Sequence, residues 1–328
     1  MAARKVAARR VEDQLDGLTR LREAPPEEAI AALRKALGDR VNLVVAKAAR
    51  IAAERQLHAL LPDLLQAFSR LFDDPVRRDP QCWGKTALAG ALKDLGHSES
   101  APFLRGLRHK QLEPVWGGEA DTAENLRGTC LLALVACPDL ERGEALRCFV
   151  DALTEKAHTI RIEAARALGQ MAGDEGALVL RLKARLGDES AEVIGQVFDS
   201  ILAIEGQRAL PLLAGFLERA NEAGEEAALA LGTSRLEGGF DLLRTTWDAA
   251  RDRQFRGILL RAMSLSRLDA ALQWLLDVVR GGRLADAMSA LEALALHAGS
   301  GEIRQQVKAA SEGREPELRA EFQKRFPG

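Results

Sequence analysis

The sequence predicts an all-α chain of helical hairpins stacked into a solenoid. Three observations carry this. Apolar residues make up 47% of the 328 positions, yet there is no Tyr and there are only four Trp. Ala and Leu favour helix, while strands draw on aromatic and β-branched side chains. A short pattern of small apolar residues recurs along the chain. Helices with a bulkier face alternate with it.

From the N-terminus, Val11, Leu15 and Leu18 give residues 1–24 a one-sided helix that suits a terminal cap. The repeats occupy 25–310. Their template is clearest from Arg161 to Gly169, RIEAARALG, where Ala164, Ala165, Ala167 and Leu168 share one helical face. The same offsets give Ala48, Ala49, Ile51 and Ala52 from Val45, and Leu88, Ala89, Ala91 and Leu92 from Lys85. They give Cys130, Leu131, Ala133 and Leu134 from Arg127, Ala227, Ala228, Ala230 and Leu231 from Gly224, and Leu259, Leu260, Ala262 and Met263 from Arg256. Ile194 and Leu284 open weaker copies. The intervening helices present sets such as Leu64, Leu65 and Phe68, or Leu212, Leu213 and Phe216. No single hairpin buries both faces, so neighbours must stack. Pro26, Pro62, Pro102, Pro211 and Pro316 mark helix starts, and Gly38, Gly169, Gly187, Gly232, Gly281 and Gly282 mark stops. Asp121 with Glu124 has the spacing of a capping box. Leu318, Phe322 and Phe326 make residues 311–328 the second cap.

The pattern R-x-x-A-A-x-A-L-G, closing the second helix of each hairpin, resembles the HEAT-repeat superfamily. Among its members it is most similar to the short repeats of phycobilin lyases. The resemblance covers nearly the whole chain and implies a right-handed α-α superhelix of about eight to nine hairpins. It also implies that the Arg opening each second helix stacks with its neighbours and bonds a nearby acid. It says little about function, because that superfamily includes scaffolds, chaperone-like factors, lyases and DNA glycosylases.

Several functions are set aside by what the residues lack. The chain carries no apolar run long enough for a signal peptide or a membrane span. Its four cysteines have no C-x-x-C spacing, which fits a reducing compartment and a cytoplasmic location. Gly84-Lys85-Thr86 resembles the tail of a phosphate-binding loop, but Asp79 stands where the first Gly is required and no strand precedes it. A helix N-terminus there would still attract an acidic group from a partner. No histidines pair at metal-ligand spacing, and a Cys82–His109 nucleophilic pair rests on proximity alone. No cofactor, metal or catalytic group is expected. The net charge of -2 argues against a globally basic nucleic-acid binder.

The period itself points to a site. Reference positions are about 40 residues apart at first and about 30 later. The extra length forms enlarged turns at 72–83 and 109–120, in consecutive repeats and so on one edge of the array. Trp83 and Trp116 are expected to anchor a partner protein or peptide. Arg77, Arg78, Arg105, Arg108 and Lys85 supply charge, balanced by Glu113 and Asp121, with His109 beside them. Lys85, Arg127 and Arg161 form a row of cations at successive second-helix starts. The expected function is non-catalytic binding of a partner protein or peptide by a monomeric scaffold, on the edge and concave face of repeats 2–4. The alternatives are nucleic-acid binding, or a lyase- or chaperone-like action on another protein.

Overall fold

The computed structural model describes residues 2–171 and 173–327, with side chains from residue 9 onward. It divides into two compact units, Met1–Ala167 and Leu168–Gly328. Each is a run of consecutive helical hairpins, the all-α repeat architecture that the Ala/Leu periodicity predicts.

In the first unit α1 (Ala2–Arg20) precedes the hairpin of α2 (Pro26–Leu37) and α3 (Asn42–Glu54). Next come α4 (Leu61–Arg70), a single turn α5 (Pro75–Arg78) and α6 (Trp83–Asp94). Then α7 (Ser100–Leu107) leads through strands β1 (Leu112–Val115) and β2 (Gly118–Asp121) into α8 (Glu124–Leu134). The next hairpin pairs α9 (Arg142–Ala152) with α10 (His158–Met171), inside which the unit boundary falls.

The second unit continues with α11 (Asp174–Leu186) and α12 (Ala191–Glu205), then α13 (Leu210–Leu217) and α14 (Glu222–Ser234). It goes on through α15 (Glu237–Ala249) and α16 (Arg253–Ser266), and α17 (Asp269–Gly281) and α18 (Leu284–Leu294). The helices α19 (Gly301–Ser311) and α20 (Pro316–Arg325) close it.

All eight reference residues open or lie near the start of second helices. In the first unit α3 packs on α6 and α6 on α8; in the second, α12, α14, α16 and α18 pack in succession. The small residues of the template make this layer possible. Ala48, Ala49, Leu88, Ala89, Leu131, Ala227, Ala228, Leu259 and Ala262 are all buried. Phe68, Phe149, Leu213, Phe216 and Leu243 from the first helices fill the space beside it. Burying such side chains supplies most of the stabilisation, about 1.5–3 kcal/mol for each large one.

The glycine closing the template works differently from expectation. Gly169 and Gly232 lie inside α10 and α14, not beyond their ends. A Cβ on Gly232 would stand 2.2 Å from the Ala262 carbonyl oxygen, and one on Gly169 would stand 2.7 Å from Ser200 Oγ. These glycines permit the next second helix to approach. They do not stop their own.

The recurring cation also has a common local task. Lys85 Nζ reaches the Leu71 carbonyl at 3.3 Å, and Arg127 Nη1 the His109 carbonyl at 3.1 Å. Arg161 Nη1 reaches Glu155 and Lys156 at 2.8 and 2.7 Å, and Arg256 Nη1 reaches Trp247 and Ala250 at 2.7 and 3.2 Å. Each donates to carbonyls at or just past the C-terminal end of its hairpin's first helix, where acceptors lack helical partners and cations are favoured.

Candidate functional site

Both enlarged turns lie in the first unit and are more ordered than loops. In the first turn, Asp74, Gln81 and Cys82 take left-handed backbone conformations, with φ of +50°, +60° and +55°. Such residues cost of order 1 kcal/mol or more each and persist only when their surroundings fix them. Around Gln81 and Cys82 the fixing groups are two carboxylates.

Asp79 is the first. It is wholly buried, and its carboxylate accepts from the backbone N–H groups of Gly84 at 2.7 Å and Lys85 at 2.9 Å, the opening turn of α6. Asn42 Nδ2 donates to it at 2.9 Å, and the equally buried Lys85 Nζ lies 3.0 Å away. The anion expected at this helix N-terminus is therefore the chain's own Asp79.

Glu113 is the second. It accepts from Gln81 N at 2.7 Å, Gln111 Nε2 at 2.6 Å and Thr122 Oγ1 at 2.7 Å. Burial alone would raise its pKa, but the hydrogen bonds from Thr122, Gln111 and Gln81 outweigh it and hold the carboxyl below its ordinary value. Gln111 Nε2 also reaches the Asp79 carbonyl at 2.8 Å, so the two turns share one buried polar network.

The second turn is a β-hairpin, where only an enlarged turn was expected. Leu112 pairs with Asp121 and Val115 with Gly118, leaving Trp116 and Gly117 at the tip. Gly117 has φ +94°, a conformation the turn requires and glycine supplies. Thr122 N donates to the Gln111 carbonyl, which fixes the alternation of bonded and non-bonded pairs. By that alternation Pro114 falls at a non-bonded position, where its missing N–H would point away from β2. The tip pair Trp116-Gly117 is not one of the Asn-Gly or Asp-Gly pairs that announce a two-residue hairpin, so only the glycines hint at a turn here.

The base of the hairpin is clamped. Asp121 accepts from Gln111 N and Ala123 N, both at 3.0 Å, and from Arg127 Nη1 at 2.6 Å. Burial opposes its ionisation, yet these donors keep its carboxyl below the usual range. Asp121 and Glu124 do not form the expected capping box: α8 begins after Ala123 without a side-chain cap.

The candidate residues thus separate into frame and surface. Lys85, Glu113, Arg127 and Arg161 are buried, so the contact role expected for them is corrected to a structural one. Asp121 and His109 are partly covered and also belong to the frame. Burial pushes the His109 pKa down, against its hydrogen bond with Gln111, and pushes the Cys82 thiol up to about 12. A thiol held protonated is a poor nucleophile, so Cys82 and His109 do not form an activated pair.

The surface consists of Trp116, fully exposed, and Trp83, 49% exposed, with Leu112, Val115 and Val76 also exposed. Arg77, Arg78, Arg105 and Arg108 are exposed as well. Arg77 and Arg78 face Asp74 at 3.9 Å and Asp73 at 3.8 Å. Arg105 lies over the Phe72 ring, 4.2 Å from its centroid, and Phe72 meets His109 edge to face. Phe72, Leu104, Arg105, Arg108 and His109 line a shallow groove there. Sequence reasoning missed Asp79, Gln111 and Thr122 as frame, and Leu112 and Val115 as surface. Asp79, just ahead of Gly84-Lys85-Thr86, was the one with a readable signal, an acid before a helix start.

Among the described residues no cluster of His, Cys, Asp or Glu suits a metal ion, and no helix is long and apolar enough to cross a membrane. Fold and site together define a helical-repeat protein that holds a Trp-tipped hairpin on a buried ionic frame. No family model matches the sequence, and no curated protein matches it. Solved structures that align with it include an engineered protein, 15% identical, over 96% of this chain and 93% of that one, with a TM-score of 0.32. Human deoxyhypusine hydroxylase in complex with glycerol is 18% identical, over 86% of this chain and 89% of that one, with a TM-score of 0.28. At such scores the likeness carries no functional argument.

Proposed function

We propose that the chain is a non-catalytic scaffold that recognises another protein or peptide through the hairpin and the turn beside it. The observation that carries this is Trp116. A side chain of that size, fully exposed at the tip of a ribbon whose base is locked by Glu113 and Asp121, is pre-organised for insertion into a partner. Trp83, Leu112 and Val115 add apolar surface, and Arg105 and Arg108 add positive charge near the Phe72 groove. The cytoplasm is the compartment this reading assumes, with all four cysteines free. A chaperone- or lyase-like factor would use the same surface to hold its client.

Nucleic-acid binding has less behind it, because Asp73 and Asp74 offset Arg78 and Arg77. The test is recovery of partners from the native cell with intact protein and with Trp116→Ser. The substitution is expected to abolish recovery while leaving the thermal unfolding curve within about 0.5 kcal/mol of the parent, since it touches only exposed surface. Unchanged recovery sinks the reading. A mobility shift on nucleic acid that weakens steeply with salt would favour the alternative.

A further inference from the structure

The second unit carries an apolar feature unrelated to the hairpin. Along α11, Leu178, Leu182 and Leu186 are 66%, 58% and 76% exposed. At i, i+4 and i+8 they form one stripe on the helix, opposite the buried Ala177, Leu180 and Ala184. Together they present roughly 350 Å² of surface, the size of the largest apolar patch on an ordinary monomer, which is often functional.

The charges along the helix indicate what covers it. Asp174 and Glu175 occupy the first turn, and Lys183 and Arg185 the last. Lys183 is held by Asp188 at 2.7 Å and Arg181 by Glu205, while Asp174 and Arg185 are exposed. Asp174 and Arg185 are eleven residues apart, about three helical turns, so they fall on the same flank of the leucine stripe. A two-fold axis perpendicular to two antiparallel copies of α11, passing near Leu180, keeps that flank common to both. It sets Leu178 of one copy beside Leu182 of the other and Asp174 of one beside Arg185 of the other. Both pairings share nearly the same centre. A closed two-fold contact demands this kind of self-complementarity. On this axis Leu186 lies over the start of the partner's α11, at the edge of the contact; the two stripes contribute at most roughly 700 Å², and flanking side chains must supply the rest of the about 1,200 Å² that a stable interface needs.

We propose that α11 is a homodimer interface, in which a second copy of this chain packs antiparallel across Leu178, Leu182 and Leu186. This departs from the monomer expected from the sequence and is independent of the hairpin surface.

Sedimentation equilibrium of the full chain over a concentration series tests it. The parent chain is expected to dimerise, and Leu182→Glu to weaken the dimer by about tenfold or more. Arg185→Glu alone should weaken it, and Asp174→Arg combined with Arg185→Glu should restore it, because only the two-fold arrangement joins these residues. All three positions are exposed, so helicity by circular dichroism should match the parent. A parent that sediments as a monomer throughout overturns the proposal. So does a dimer indifferent to Leu182→Glu, or a double exchange that fails to recover association.

Discussion

Lys85 shows how a single residue changes meaning once its surroundings are known. In sequence it is a cation next to a Gly and a Thr. In the fold it is sealed with Asp79, six residues away across a left-handed turn that no local pattern announces. Breaking a buried pair from one side leaves an uncompensated charge, which costs about 3–5 kcal/mol. Lys85→Met is therefore expected to lower the urea midpoint steeply, and an unaltered midpoint would show that the pair is dispensable. Gly232 is the complementary case, legible as a glycine of the template but not in its purpose. With the Ala262 carbonyl so close to any added Cβ, Gly232→Ala must push α14 and α16 apart. It should destabilise by about 1–3 kcal/mol, as overpacked sites do.

At the scale of elements, second helices were readable because their packing needs small residues at fixed intervals, and that requirement is written in the residues themselves. The hairpin was not, because it is held by contacts to a different turn: Glu113 bonds Gln81, and Gln111 bonds the Asp79 carbonyl. Its stability should depend on pH with a definite sign. Glu113 and Asp121 are held below their ordinary, unfolded values, near 4.3 and 3.9. Their contribution is then complete above those unfolded values and is lost as pH falls through the lower folded ones. Amide exchange in residues 112–121 should stay protected from neutral pH to about 5 and open below about 4. In Glu113→Gln that acid dependence should be shallower. Equal acid sensitivity in the two proteins would remove Glu113 from the account.

For the whole molecule, the fold class was legible because stacking repeats reuse one solution. The division at residue 168 was not, since the template runs through it unchanged from Arg161 to Gly169. In arrays where each hairpin contacts its neighbours, damage spreads a short way. Gly232→Ala should therefore speed amide exchange in α14 and α16 while leaving the Asp79–Glu113 network of the first unit as protected as before. Exchange that accelerates equally in both would indicate a single cooperative block.

Pro114 has a consequence for how such chains behave in a crowd. The outer edge of β1 lacks a donor there, so a foreign strand finds a proper ladder only along β2. Each copy then has one place to join and none from which to continue. Growth beyond a pair is thereby disfavoured, which suits a chain that displays Trp116 in the open.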